Sequence, residues 1–566
     1  MSKKTARTIK PVESIKAMLR AAAEEVGDKV AYRFAKDGET VDITYRAFRE
    51  ETLALGEALW ELGVTGEHIA ITAPNSYDWI TVYLTVLQSK GVFVPIDKDL
   101  PEADFMNVLL ASDTKVLFYD EKHAEILKNN EDKLGHIRYF IGIDCEGEGE
   151  RYLSYRALLA HGHTLREAGS AVFEDETRDP YALKMLVYTS GTTGIAKGVM
   201  LSEHNLCSSV YYGLHCCTPG DTGLSVLPYH HVYEAVPGLL VGIHHHCTLC
   251  LNENLRTVKK NLVLYKPDYV YLVPAFVEVF YKNIWANIEK QGKTKAFKML
   301  MALSNGLRKI GIDKRRTLFK QVLEAFGGEL RQIVCGGAPI RPELGAFFET
   351  IGIDLYNGYG ITECSPLVSV NTFELNDCRT VGMPLPCCEI RLADVNEDGD
   401  GEICVRGDVV MMGYYKNPEQ TAEVIDEEGW FHTGDYGRLT DKGQIMITGR
   451  KKNLIVLTNG KNIFPEEQEG YIGQIPYIAE AVVFGLRDES GQEAALGVEV
   501  FLNAEQVEAM GITDPAASLK ADIDRVLAHL PAYKHIAKIF IRDIPFVKTT
   551  SNKIRRSSLI YKGSAE

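Results

Sequence analysis

The chain has 566 residues, of which 45% are hydrophobic and 25% charged, enough to bury a large core and to divide into several folded units. A formal net charge of -15 argues against a protein that lives on nucleic acid, which calls for a basic excess or a long basic stripe. A small anionic ligand stays compatible with it.

The opening "MSKKTARTIKPVESIKAML" has lysines but no apolar stretch after them, so it reads as mature sequence. Residues 43–64 carry helical apolar spacing, "HIAITAP" reads as a strand, a helix follows around Trp79, and "GVFVPID" and "TKVLFYD" are two further strands. The window 79–96 comes nearest to the roughly 20 apolar residues a membrane span needs, but its polar residues favour a buried helix and strand. This alternation predicts an α/β fold with a mostly parallel sheet covered by helices. The rhythm continues through "KPDYVYLVP" and "LRQIVCGGAPI", separated by a long helical and charged section at about 275–326. After residue 450 two strands, "IAEAVVFGL" and "EAALGVEVFL", precede the helix "PAASLKADIDRVLAHL", predicting a small α+β domain. The 12 cysteines, scattered in a long chain, predict reduced thiols and a cytoplasmic setting. In "IHHHCTLC" (243–250), His244, His245, His246, Cys247 and Cys250 are zinc-type ligands, but "CTLCL" reads better as a buried strand, since half a zinc site lacks a second ligand pair.

The densest chemistry lies at 188–199, "YTSGTTGIAKGV", directly after the apolar "MLV". A flexible loop at a strand terminus is where ligands of α/β sheets bind. Gly191, Gly194 and Gly198 let backbone N–H groups converge on an anion; Thr189, Ser190, Thr192 and Thr193 add hydroxyls and Lys197 adds charge. Phosphate is the natural guest. A Walker A loop is disfavoured, because Ala196 and Gly198 stand where that frame needs glycine and a magnesium-binding hydroxyl.

This run resembles the phosphate-binding signature of the adenylate-forming superfamily, which includes acyl-CoA synthetases, luciferases and nonribosomal adenylation domains. "CGGAPI" (335–340), "NGYGITE" (357–363), "GWFHTGDYG" (429–437), "GRKKNLIVLTNGKNIFPEE" (449–467) and "KTTSNKIRR" (548–556) are similar to its further motifs, in order. The resemblance implies a large N-terminal multi-sheet α/β domain (1–449), a hinge (450–452) and a small mobile α+β C-terminal domain (453–566). It further implies that Glu363 and Thr189 bind the magnesium of ATP, a hard cation that takes oxygen ligands. Tyr359 is expected to stack on adenine beside Gly336, Gly337 and Ala338, with Gly360 and Thr362 in the same motif. Asp435 is expected on the ribose hydroxyls and Arg450 on the ribose or phosphate edge. Lys553 matches the catalytic lysine. Its charge would cancel the repulsion between carboxylate and α-phosphate, about 4 kcal/mol at about 4 Å and an effective dielectric near 20. Lys452 is the expected hinge, about which the segment around Gly460 would replace Lys553 and frame the thiol channel.

Residues 227–234, 272–284 and 326–340 resemble the long-chain acyl-CoA synthetase branch. His231 aligns with the family histidine, and "AVPGLLVGI", with Gly238, has the composition of an apolar tunnel wall or of an ordinary buried helix. Ala196, Ala275, Cys335, Gln468 and Asn552 depart from the common pattern, but none removes a group the chemistry needs. The expectation is a ligase that uses ATP and Mg2+ to convert a fatty acid to acyl-AMP and passes the acyl group to coenzyme A. An acyl carrier protein is the alternative acceptor, and a non-catalytic adenylate- or acyl-binding protein the alternative class. No nucleic-acid partner and no transmembrane segment are expected; peripheral membrane contact and oligomeric state are left open.

Overall fold

In the computed structural model the described residues are 8–147, 149–189, 196–397, 399–458, 460–488, 490–548 and 554–560. Two compact units emerge: Met1–Ile390 with Val405–Phe431 and Asp441–Ile445, and Arg391–Cys404 with His432–Thr440 and Met446–Glu566.

The first unit is built on two large sheets. One has eight strands, ordered Gly413–Tyr414, Lys197–Ser202, Leu183–Thr189, Val92–Pro95, His68–Thr72, Val116–Tyr119, Tyr139–Gly142 and Tyr152–Ser154. Its interior pairs are parallel, and only the edge from Leu183–Thr189 to Gly413–Tyr414 runs antiparallel. The other has nine strands, in which Asp354–Gly360, Gln332–Cys335, Tyr269–Leu272, Thr222–Ser225 and Thr248–Leu251 lie parallel side by side. Strands of a sheet covered on both faces are apolar along their whole length. "VFVP", "VLFY", "YVYL" and "QIVC" are accordingly buried at all four positions.

The predicted helices at 43–64 and around Trp79 are Tyr45–Glu61 and Tyr77–Gln88, started by the hydroxyls of Thr44 and Ser76, which accept N–H bonds from Ala47 and Trp79. The "CTLCL" strand is Thr248–Leu251. The long charged section resolves into Pro274–Lys290, Thr294–Lys309 and two short helices. An aromatic cluster of Trp285, Phe297, Phe319 and Phe347 seats them, with ring centroids 5.3 Å apart for Trp285–Phe297 and 5.5 Å for Phe297–Phe319.

In the second unit Ile478–Arg487 and Glu493–Leu502 pair antiparallel, and Ile536–Arg542 joins parallel to the latter. Helices Pro465–Ile472 and Pro515–Leu527 bury Ile472, Leu519, Ile523 and Leu527 in a core with Leu496, Val498 and Val500. A large multi-sheet α/β body and a small α+β body are the predicted fold class.

Candidate active site

Ser190, Gly191, Thr192, Thr193 and Gly194 lie outside the described residues, as does Lys553. The strands that carry the glycine-rich run are described, and Thr189 faces Lys197 across their antiparallel pair. From Lys197 a chain of contacts leads to Glu363. The lysine Nζ stands 5.0 Å from the centre of the Tyr414 ring, and the Tyr414 hydroxyl donates to Glu363 Oε1 at 2.9 Å. Met411 N–H fixes the Glu363 carbonyl at 2.8 Å. The expected magnesium carboxylate and the expected phosphate lysine thus meet through a tyrosine that sequence reasoning missed. Its signal was the "GYYKNPEQT" stretch, an edge-strand motif between two recognised ones. A carboxylate and a threonine hydroxyl form the hard oxygen donor set that suits Mg2+.

Gly336, Gly337, Tyr359 and Gly360 line one cavity, with an empty volume of about 710 Å3, part of it open to solvent. Its lining is chiefly apolar and continues to Tyr233, Pro237, Val241, Tyr271, Cys217 and Gly213. A Cβ on Gly336 would just touch the Gly358 carbonyl and the Tyr233 ring, 3.4 Å from each, so the strand end passes close to both. Gly337 has φ +82°, a conformation glycine adopts freely. Ala338 follows as an exposed residue, and Thr362 opens the short turn that holds Glu363.

One wall is unusual. "EAVPGLL" (Glu234–Leu240) is a wide π-helical turn around Pro237, whose missing N–H cannot continue an α-helix. Pro237 and Val241 face the cavity. Gly238 does not: a Cβ on it would lie 2.7 Å from the Glu234 carboxyl carbon, so this glycine makes room for a buried acid. Ser225 Oγ donates to Glu234 Oε1, and the Leu227 N–H also bonds the carboxyl. Burial pushes the Glu234 pKa up to about 8, these hydrogen bonds opposing it. Asn75 ties the same turn from the other side, donating to the Leu227 carbonyl at 2.8 Å and accepting from Tyr229 N–H at 3.0 Å. The turn carries His231, whose ring lies 4.5 Å from that of His230. His230 Nε2 is 3.6 Å from Asp97, and burial lowers its pKa although Asp97 works against the shift.

The second unit has its own polar cluster. Asp435, buried, pairs with half-exposed Arg450 at 2.8 Å, and its N–H donates to Thr433 Oγ1 at 3.0 Å. Glu402 accepts from Lys451 at 2.7 Å and from Gly434 N–H at 3.2 Å, with His432 at 3.4 Å. Burial raises the Glu402 pKa, but Lys451 and His432 outweigh it and hold the carboxyl below the ordinary range. Lys452 sits in the single turn Lys451–Asn453, and Gly460 is exposed in a turn with φ +78°. The flanks of Lys553 are anchored: Lys548 bridges to Ile554, and Arg556 bonds the Val483 carbonyl at 2.9 Å and Glu469 at 2.8 Å.

The histidine and cysteine side chains of 244–250 diverge. His244 bonds the Lys10 carbonyl, Cys247 donates to the Gly220 carbonyl, and Cys250 enters the hydrophobic core. Among the described residues no group of three His, Cys, Asp or Glu is arranged to hold a metal ion.

The family model described as AMP-binding enzyme matches residues 19–415, and that of the AMP-binding enzyme C-terminal domain matches 452–562. The chain therefore belongs to the AMP-binding enzymes and is an acyl-activating, adenylate-forming ligase that uses ATP. It is 31% identical to the long-chain-fatty-acid–CoA ligase FadD15 of Mycobacterium bovis over 84% of this chain and 81% of that protein. It is 26% identical to the chloroplastic long-chain-fatty-acid–[acyl-carrier-protein] ligase AEE15 of Arabidopsis thaliana, over 97% of this chain and 85% of that one. The crystal structure of the anthranilate CoA ligase AuaEII in complex with anthranoyl-AMP shares the fold, with a TM-score of 0.76 at 18% identity over 97% of this chain and 96% of that one.

Proposed function

We propose that the protein activates a fatty acid as acyl-AMP and transfers the acyl group to coenzyme A. The observation that carries this reading is the chiefly apolar cavity whose lining includes Gly336, Gly337, Tyr359 and Gly360 of the expected nucleotide motifs. An apolar wall suits an alkyl chain, and nucleotide motifs in the same lining would bring ATP to its carboxylate.

In the first half-reaction a carboxylate oxygen attacks the α-phosphorus, and the bond to pyrophosphate breaks as the new P–O bond forms. In the second, the thiol sulfur attacks the acyl carbon, AMP leaves with the bonding electrons and the thiol proton passes to solvent. Thr189 and Glu363 would hold Mg2+, which supplies positive charge against the triphosphate. Tyr414 orients Glu363 for that task. Lys197 supports the phosphates, Tyr359 the adenine and Asp435 with Arg450 the ribose. Lys553 offsets the charge that builds as carboxylate and phosphate meet. Rotation about Lys452 would then exchange Lys553 for the segment around Gly460.

The relative that acylates a carrier protein favours one second reading, since the phosphopantetheine thiol is the same nucleophile. Mass spectrometry of products from ATP, Mg2+ and a panel of short, long and aromatic acids, with and without coenzyme A, separates them. Acyl-CoA from one length class of fatty acid is the expected result. Acyl-AMP and pyrophosphate without acyl-CoA would move the acceptor to a carrier protein, and turnover of aromatic acids alone would overturn the substrate class.

A further inference from the structure

The helix Thr294–Lys309 is apolar on both sides. Phe297 and Ser304 are buried on one side, while Met299 and Leu303 are 73% and 50% exposed on the other, and Ile310 and Ile312 just beyond the helix are 70% and 43% exposed. Residues 299, 303, 306 and 310 recur at helical spacing, so Met299, Leu303, Gly306 and Ile310 form one outward stripe. An apolar stripe on a helix is ordinarily buried against a core, and this helix has a core on the side opposite the stripe only.

The charge around the stripe opposes that of the molecule. From Lys290 to Arg316 there are nine lysines and arginines and one acid, Asp313, in a chain of net charge -15. Lys295, Lys298 and Lys309 flank the stripe on one side, exposed, and none of the three has an ion-pair partner among the described residues. No helix among the described residues is long and apolar enough to cross a membrane.

We propose that this helix is a docking surface for an anionic lipid bilayer, lying in the headgroup plane with Met299, Leu303, Ile310 and Ile312 inserted and the lysines on lipid phosphates. The charge complementarity selects the occupant: cations beside exposed apolar side chains suit a negatively charged interface that is apolar just beneath. None of these residues belongs to the active site, so the surface stands or falls independently of the acyl substrate.

The test is co-flotation of the full-length protein with vesicles of phosphatidylcholine alone or with about 30% phosphatidylglycerol, at about 0.1 and about 0.5 M salt. Anionic vesicles should retain the protein at least about tenfold better than neutral ones, and high salt should erase most of the difference. M299D/L303D/I310D and, separately, K295E/K298E/K309E should each lose about tenfold or more in retention, with unchanged thermal melting and unchanged pyrophosphate release on a water-soluble acid. Equal retention on both vesicles, or wild-type retention by either variant, would overturn the proposal. So would a dimer in sedimentation that M299D/L303D/I310D dissociates without any vesicle binding, since the stripe would then be a protein interface.

Discussion

Glu234 beside the cavity and Glu402 in the second unit are both buried glutamates, and burial acts on both in the same direction. Glu234 has only hydroxyl and amide donors, so its pKa rises to about 8. Glu402 has Lys451 and His432 and stays ionised. The first region works by shape and neutral groups, the second by fixed charge. A burial pattern alone does not distinguish an acid that keeps its proton from one that loses it; the cations within reach decide.

Loss of charge should therefore cost most where charge does the chemistry. Lys553→Ala should lower acyl-AMP formation by about 100-fold or more, as removal of one transition-state charge contact commonly does. Thioester formation from supplied acyl-AMP should stay within several-fold. Comparable loss in both half-reactions, measured by pyrophosphate release and by acyl-CoA yield, would remove Lys553 from its assigned step.

Loss of space should change selection rather than chemistry. A Cβ at Gly213 would meet only the Leu367 side chain, at 3.3 Å, so a larger residue there can be admitted and projects into the cavity. Gly213→Leu should reduce kcat/KM for long-chain acids by roughly 10- to 100-fold and leave short acids within a few-fold, because each methylene buried is worth about 0.8 kcal/mol. An equal fall at every chain length would mean that the cavity does not receive the acyl chain.

Tyr414 is the intermediate case, a polar contact inside the first unit. Tyr414→Phe deletes one hydroxyl bond to Glu363. Hydrogen bonds to charged groups are worth about 1.5–3 kcal/mol, so a roughly tenfold fall in kcat/KM for ATP is expected, with a raised Mg2+ requirement. A fall with unchanged Mg2+ dependence would make Tyr414 a phosphate-loop support alone.

The sequence carried the sheets because fully buried parallel strands are continuous apolar runs, and it singled out Asp435 and Arg450 because each sits in a recognised motif, but not their ion pair with each other. It did not carry Tyr414, whose partners lie 51 residues away for Glu363 and across a strand pair for Lys197. Nor did it reveal that Gly238 serves Glu234 rather than the cavity, since a π-helical turn shifts which face each residue presents. Gln468, noted only as a departure, is wholly buried, and neither amide atom has a hydrogen-bond partner in the described structure. A one-dimensional pattern reports polarity, and satisfaction of that polarity is a property of three dimensions.

The smallest effect tests the neutral acid directly. A carboxyl whose folded pKa is about 8, against 4.5 when exposed, binds more protons folded than unfolded between those values. Stability from this group is therefore present at low pH, is lost as pH rises from about 4.5 toward 8, and is flat above that, where both states are ionised. Glu234→Gln retains acceptors for Ser225 and Leu227 but cannot ionise. Its melting temperature should stay near the wild type's at pH 5, exceed it by a margin that grows to about pH 8, and hold that margin above. Fluorescence melting across that range checks it, and parallel wild-type and variant curves would show that Glu234 keeps a charged form that the cavity wall tolerates, removing the contrast with Glu402.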